Sequence, residues 1–255
     1  CEHTVTADPE YDEYLVPKLA DDYSPVAIGV DVGRVDDWSA ITVVSVNQLA
    51  HKEWDYRAQM GKASFSHVVY AWQCRNQPYA YVASMIRDVY KRFPRAVGIA
   101  IDARGGEAIL DELAFNVPEG ERPLVDRFDE ERLSRLNRAN CDFVLATIKA
   151  TDTLNNQWNS FVKGQLESGK LRFPKYTMRK DSDEIREAYN AINEMLYQFI
   201  SIRTRLSEKT HLLSFFVPNS KKNKKDLYSS MVYAMSLVRE QLMGDEKKKI
   251  GRAHV

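Results

Sequence analysis

Val26–Val46 reads V-A-I-G-V-D-V-G-R-V-D-D-W-S-A-I-T-V-V-S-V, and the reading of the whole chain turns on it. The pattern predicts an apolar strand ending in Asp31, a short polar turn, and a second strand from about Ser39. Alternation places Ala27, Gly29 and Asp31 on one face of the first strand and Val26, Ile28 and Val30 on the other. A carboxylate at the mouth of a buried strand is costly unless a cation compensates it. Two readings follow: an Asp that caps the turn, or a ligand for a hard metal ion or a phosphate-bound metal.

Arg95–Leu113, R-A-V-G-I-A-I-D-A-R-G-G-E-A-I-L-D-E-L, repeats the design. An apolar strand ends in Asp102, and a Gly-Gly turn leads into a helix. Gly98, Ala100 and Asp102 share one face; Val97, Ile99 and Ile101 share the other. Small residues beneath each terminal Asp predict a helix packed close against that face. If the two strands are parallel neighbours, both carboxylates meet at the carboxyl edge, where open α/β sheets place their ligands. Like charges that close need a cation between them, or one must protonate. A divalent metal is the economical answer.

The 255 residues are enough for one sizeable α/β domain or two small ones. Hydrophobic residues make up 44% and charged residues 28%, ordinary values for a globular protein. The formal net charge is zero, so a nucleic-acid partner has to be met by local basic patches. Cys1, Cys74 and Cys141 are widely spaced and form no CxxC pair. That argues against a zinc site or disulfide framework and suits a reducing compartment. No apolar run reaches membrane-spanning length, and the N-terminus lacks a secretion signal. A start at Cys1 is expected of a fragment cut from a longer chain.

Outward from these strands, residues 1–24 are acidic and Tyr-rich and read as a linker or the edge of an upstream domain. Ala50–Gln59 is a candidate third strand, and Gly61–Gln77 has no decisive pattern. Pro78 opens a helix over Tyr79–Phe93 that Pro94 stops. Asn116–Asp142 is a charged excursion before a strand at Phe143–Ala150. T-D-T-L starts a helix over Thr151–Ser168 that ends at Gly169 and leads into a short segment, Lys170–Phe173, closed by Pro174. Ser182–Leu206 is one long helix, or a helix breaking into strand near Phe199–Thr204. A strand at Leu212–Val217, the basic loop N-S-K-K-N-K-K and a helix over Asp226–Met243 follow. Residues 245–255 read as a flexible tail. There are no internal repeats.

The last helix carries an apolar stripe of Leu227, Met231, Met235, Val238 and Leu242. Asp226 stands at its start, a position that helix capping alone often explains. After two strand-end acids, however, the order strand-Asp, strand-Asp, helix-Asp is the pattern of ribonuclease-H-like nucleases. In four motifs the sequence resembles the C-terminal nuclease domain of the large terminase subunit of tailed bacteriophages. D-V-G-R-V-D-D-W-S-A-I (31–41) resembles the family's first motif. I-D-A-R-G-G-E-A-I-L-D-E-L (101–113) resembles its second, and K-K-D-L-Y-S-S-M-V-Y-A-M (224–235) its closing motif. G-Q-L-E-S-G-K-L-R-F-P (164–174) is also similar to the family's stretch before its last strands. The chain departs from the closing motif at Ser229, often a second acid in the family, and at Lys225, often an Asp or His.

The resemblance implies an α/β, ribonuclease-H-like mixed central sheet flanked by helices over residues 25–244. It implies a metal-dependent endonuclease that cuts concatemeric double-stranded viral DNA during packaging. Two divalent ions, Mg²⁺ or Mn²⁺, roughly 4 Å apart, stabilise the attacking and leaving oxygens of such a reaction. Hard ions want oxygen ligands, which suits Asp and not His or Cys. The expected ligands are Asp31 bridging, Asp226 on the water-activating ion and Asp102 on the leaving-oxygen ion, the last two exchangeable. Asp36 and Asp37 are further candidates. Arg34, Arg104, Lys221, Lys222, Lys224 and Lys225 are expected to contact DNA phosphates. No aromatic–basic stacking platform or base-reading motif is evident, so cutting with little sequence preference is expected. The implied partners are a portal protein, a small terminase subunit and an ATPase domain upstream in the same chain. The implied location is the cytoplasm of the infected host, at the procapsid.

Rival classes remain open on sequence alone. A resolvase or transposase of the same fold is the nearest. An actin-like or sugar-kinase ATPase shares the opening Asp-x-Gly strand, but here Arg34-Val35 follow where Thr or Ser usually contacts phosphate. A scaffold that only binds nucleic acid has no use for three acids. A Walker ATPase is excluded, because no G-x-x-x-x-G-K-[ST] occurs.

Overall fold

Strand β1 (Val26–Asp31) pairs antiparallel with β2 (Trp38–Ser45), from Val26 against Ser45 to Asp31 against Ala40. The computed structural model that gives this register describes residues 17–22, 24–33, 37–46, 66–102, 107–174, 182–208, 210–218 and 224–252. β3 (Ser66–Arg75) extends the hairpin antiparallel to β2. Helix α1 (Tyr79–Arg92) then crosses back, and β4 (Ala96–Asp102) lies parallel to β1 on its other side, Val30 opposite Ile101. The next residues on the two strands are Asp31 and Asp102. The condition for the acids to meet, adjacent parallel strands, is therefore fulfilled.

Helix α2 (Glu107–Phe115), strand β5 (Leu124–Asp126), the one-turn α3 (Glu130–Leu133) and strand β6 (Asp142–Ile148) complete that side. α4 (Asp152–Glu167), β7 (Leu171–Arg172), α5 (Asp183–Ser201), the hairpin β8 (Arg203–Leu206) and β9 (Leu213–Phe216), and α6 (Asp226–Arg252) follow. The main sheet is mixed and seven-stranded, in the order β5-β6-β4-β1-β2-β3-β7, and β8-β9 forms a separate ribbon.

The period-two alternation divides the core. Val26, Ile28, Val30, Ile41, Val43, Ile99 and Ile101 pack under α1 and α2. Ala27, Ala40, Val44 and Ala100 face α4, α5 and α6. The small residues on that second face let α6 approach the sheet backbone. A Cβ on Gly29 would stand 1.9 Å from the Ser230 carbonyl oxygen and 2.4 Å from the Ala234 nitrogen. Only glycine fits this crossing. Thr42, also fully buried, shares a 2.7 Å hydrogen bond with the Ser230 hydroxyl and pins the helix in rotation.

Several elements differ from the sequence expectation. α6 is not one-sided: every residue from Leu227 to Val238 is buried, because the sheet covers one side and α4 and α5 the other. The helix also runs past Met243 to Arg252. The charged excursion before β6 contains an edge strand, β5, too short to show a period. Of the two alternatives for 182–206, the helix gives way to strand after Ser201. The candidate strand at Ala50–Gln59 lies outside the described residues.

Candidate metal centre

β1 and β4 end side by side, so their terminal carboxylates open into one cleft of about 530 Å³. Asp31 and Asp102 line it, with Asp152 and Asn155 of α4, Tyr228, Ser229 and Tyr233 of α6, and Lys225. Ala27, Gly29 and Ala100 are buried beneath them, under α6. Burial, with the charges of Asp226 and Asp102 added, pushes the Asp31 carboxyl up to about 8. Lys225 and a hydrogen bond from the Ser229 hydroxyl act against that rise.

Asp226 comes to the site on the first turn of α6. Its carboxyl is raised to about 6, chiefly by burial and then by the charge of Asp37. The capping role that competes for Asp226 belongs to another residue. The backbone N–H of Tyr228, third in the helix, donates to Oε1 of buried Gln198 on α5 at 3.0 Å. Tyr228 is held further by its hydroxyl, which donates to Asn159 of α4, and by the Phe199 ring packed edge-on at 4.7 Å. Asp226 Oδ2 itself is buried and has no hydrogen-bond partner among the described residues. Leaving a carboxylate oxygen so is expensive.

Among the described residues, no three His, Cys, Asp or Glu side chains are gathered tightly enough to grip one ion as they stand. The donor chemistry nevertheless fits a hard divalent cation. The acids are oxygen donors, two of them are disfavoured as bare anions, and one presents an orphaned buried oxygen.

The other expected residues divide. Asp37 is engaged: its carboxylate accepts from Lys224 Nζ at 2.9 Å and from the Trp38 N–H, and the Lys224 bond holds it below the usual carboxylate range. Lys224 is therefore tied down, whereas Lys225 faces the cleft. Arg34, Asp36, Arg104, Lys221 and Lys222 lie outside the described residues. Sequence reasoning missed Tyr233, whose hydroxyl donates to Asp102 Oδ2 at 3.1 Å. It also missed a basic–aromatic surface. The β8–β9 ribbon borders the cleft through Leu213, Ser214 and Phe215, exposes Arg203, and sets the Arg205 guanidinium 5.5 Å from the Phe216 ring centre. Those residues are apart in sequence, and only strand pairing brings them together.

No protein-family model matches the sequence, and no curated protein sequence does. Similarity appears among solved structures. The large terminase nuclease from thermophilic phage G20c is 12% identical, the match covering 87% of this chain and 92% of that one at a TM-score of 0.53. The same nuclease with bound magnesium matches with 12% identity over 87% and 85%, at 0.54. The HK97 bacteriophage large terminase matches with 8% identity over 90% of this chain and 42% of its own, at 0.50. At such identities the likeness is one of fold. The chain has the ribonuclease-H-like fold of phage large-terminase nuclease domains.

Proposed function

We propose that this chain is a metal-dependent endonuclease that cuts double-stranded viral DNA during genome packaging. The observation that carries the reading is the meeting of Asp31 and Asp102 in one cleft at adjacent parallel strand ends, with Asp226 on the first turn of α6 near enough for its charge to act on Asp31. Similarity of fold to terminase nucleases, one of them solved with magnesium, supports the same reading.

Asp31, Asp102 and Asp226 would hold two divalent cations, Mg²⁺ or Mn²⁺. Asp31, which feels the charges of both other acids, would hold the ions together with them. Such ions, when bound, supply a hydroxide nucleophile near neutral pH and a counter-charge for the phosphate and the leaving oxygen. The chain's own residues orient and exclude. The small-residue face under α6 keeps water from behind the carboxylates. Lys225 at the cleft and the Arg203–Arg205 ribbon beside it meet the DNA backbone, which carries charge and no sequence. Arg34, Arg104, Lys221, Lys222 and, once released from Asp37, Lys224 extend the same contact. In the infected host, an upstream ATPase domain, a portal protein and a small terminase subunit would set where and when cutting occurs.

The test is to digest a linear duplex with the purified chain in Mg²⁺ or Mn²⁺. Cleavage is expected, and it is expected to vanish in chelator and in each of Asp31→Ala, Asp102→Ala and Asp226→Ala. Undiminished cutting in chelator, or by all three variants, would refute the assignment.

A further inference from the structure

Asp226, Ser229 and Tyr233 stand at i, i+3 and i+7 of α6 and so share one face of the helix. That face meets the ends of β1 and β4. Asp226 contributes a carboxylate to it, and the other two contribute hydroxyls. The Tyr233 hydroxyl donates to Asp102 Oδ2 at 3.1 Å, and the Ser229 hydroxyl lies in the same cleft as Asp31, where it favours the charged carboxylate. Helical side chains lean toward the N-terminus, so Tyr233 reaches back toward the turn that carries Asp226. Both residues are buried, and the Tyr233 ring is fixed edge-on against Trp158 of α4, at 6.4 Å and 83°.

The geometry points to Tyr233 as the positioning residue for Asp102, with Ser229 its counterpart on Asp31. This rests on the metal-dependent reading above. A lysine or arginine in Tyr233's place would fix the carboxylate by neutralising it and would compete with a cation. A phenol donates one hydrogen bond and leaves the charge in place. The carboxylate is then held in one rotamer before a cation arrives, so less freedom is lost on binding. The helix that brings the third acid also sets the angle of the first two.

The experiment is a calorimetric Mn²⁺ titration of the full chain at fixed pH, with circular dichroism and metal-free melting recorded beside it. Tyr233→Phe keeps the ring against Trp158 and removes only the hydroxyl. It is expected to weaken Mn²⁺ binding by about tenfold, the usual effect of losing a partner of a metal ligand. Ser236→Ala removes another buried α6 hydroxyl, one that donates to the Tyr233 carbonyl oxygen within the helix and lies outside the cleft. It is expected to lower the melting temperature and to leave the Mn²⁺ affinity within twofold. Ser229→Ala is expected to weaken binding in the same direction as Tyr233→Phe. If wild type binds Mn²⁺ and Tyr233→Phe binds it equally, the positioning role is overturned and the nuclease reading stands. Equal weakening by Tyr233→Phe and Ser236→Ala would reduce the effect to general loosening and overturn it too. A wild-type chain that binds no Mn²⁺ would overturn both.

Discussion

Asp31→Asn changes one atom and removes a charge that the fold holds at a cost. In the folded, metal-free chain the Asp31 carboxyl titrates near 8, against 3.8 for the free side chain. A folded-state value raised above the unfolded one contributes stability that is full at low pH and is lost as pH rises toward the folded value. Between pH 5 and pH 7.5 almost the whole interval lies above the unfolded value and below the folded one. Each pH unit crossed there costs about 1.4 kcal/mol, or about 3 kcal/mol across the interval. Asp31 faces the cleft and keeps part of its surface in water, so solvent reduces this to roughly half, about 1.5 kcal/mol. For a chain of this size that is a melting shift of about 3–6 °C.

The assay is a pair of melting series in chelator at pH 5 and pH 7.5, wild type against Asp31→Asn. Asparagine has the same shape and stays neutral at both values. Other titrating groups, Asp226 among them, are present in both chains, so the difference between the two series isolates Asp31. Wild type is expected to lose about 3–6 °C more than the variant on going to pH 7.5. Magnesium should restore wild type at pH 7.5 by mass action and leave the variant unmoved. Parallel curves in chelator would refute the reasoning, because the buried charge would then cost the fold nothing.

Gly29→Val should destabilise by about 3 kcal/mol or more and abolish Mn²⁺ binding, since the clash falls on the α6 backbone at 1.9 Å and no side chain can yield; urea unfolding and calorimetry read both effects. Lys225→Ala should weaken duplex binding and flatten the plot of log affinity against log salt by about one, whereas Lys224→Ala, held by Asp37, should flatten it less; anisotropy titrations across a potassium chloride series decide. Digestion of a long linear duplex should leave ends without a consensus and proceed without ATP; a tight consensus in the sequenced ends would contradict the phosphate-only contacts.

The parts of this molecule that were legible in its sequence are those with a period. Alternation along Val26–Asp31 and Ala96–Asp102 foretold which face would be small, and hence where a helix would lie. The terminal acids were legible because a charge ending an apolar strand has few uses. Tyr233 and Ser229 were not legible in that way. Their hydroxyls matter only once the rotation of α6 on the sheet is known, and that rotation is set by Gly29 against Ser230 and by the Thr42–Ser230 bond. Gln198 was hidden for a related reason. A cap normally comes from the residue just before its helix, and Lys225 has no side-chain acceptor; the acceptor comes from α5, thirty positions away in sequence. The β8–β9 ribbon shows the same limit, because Arg205 and Phe216 become one surface only through pairing.

Fold and site are therefore drawn from the same few small residues. Ala27, Gly29 and Ala100 bring α6 onto the strands, and the burial that results raises the carboxyls of Asp31 and Asp226. A larger residue there would move the helix away and let water in. Asp31 and Asp226 would then titrate as ordinary surface carboxylates, and Tyr233 would lose its reach to Asp102. The closeness that stabilises the core is what makes bare Asp31 and Asp226 unfavourable, so a cation held by them would regain free energy that the metal-free fold forgoes. On this account affinity for the ion resides in the crossing of α6 over β1 as much as in the carboxylates. Substitutions beneath the site should then weaken the metal without touching a ligand.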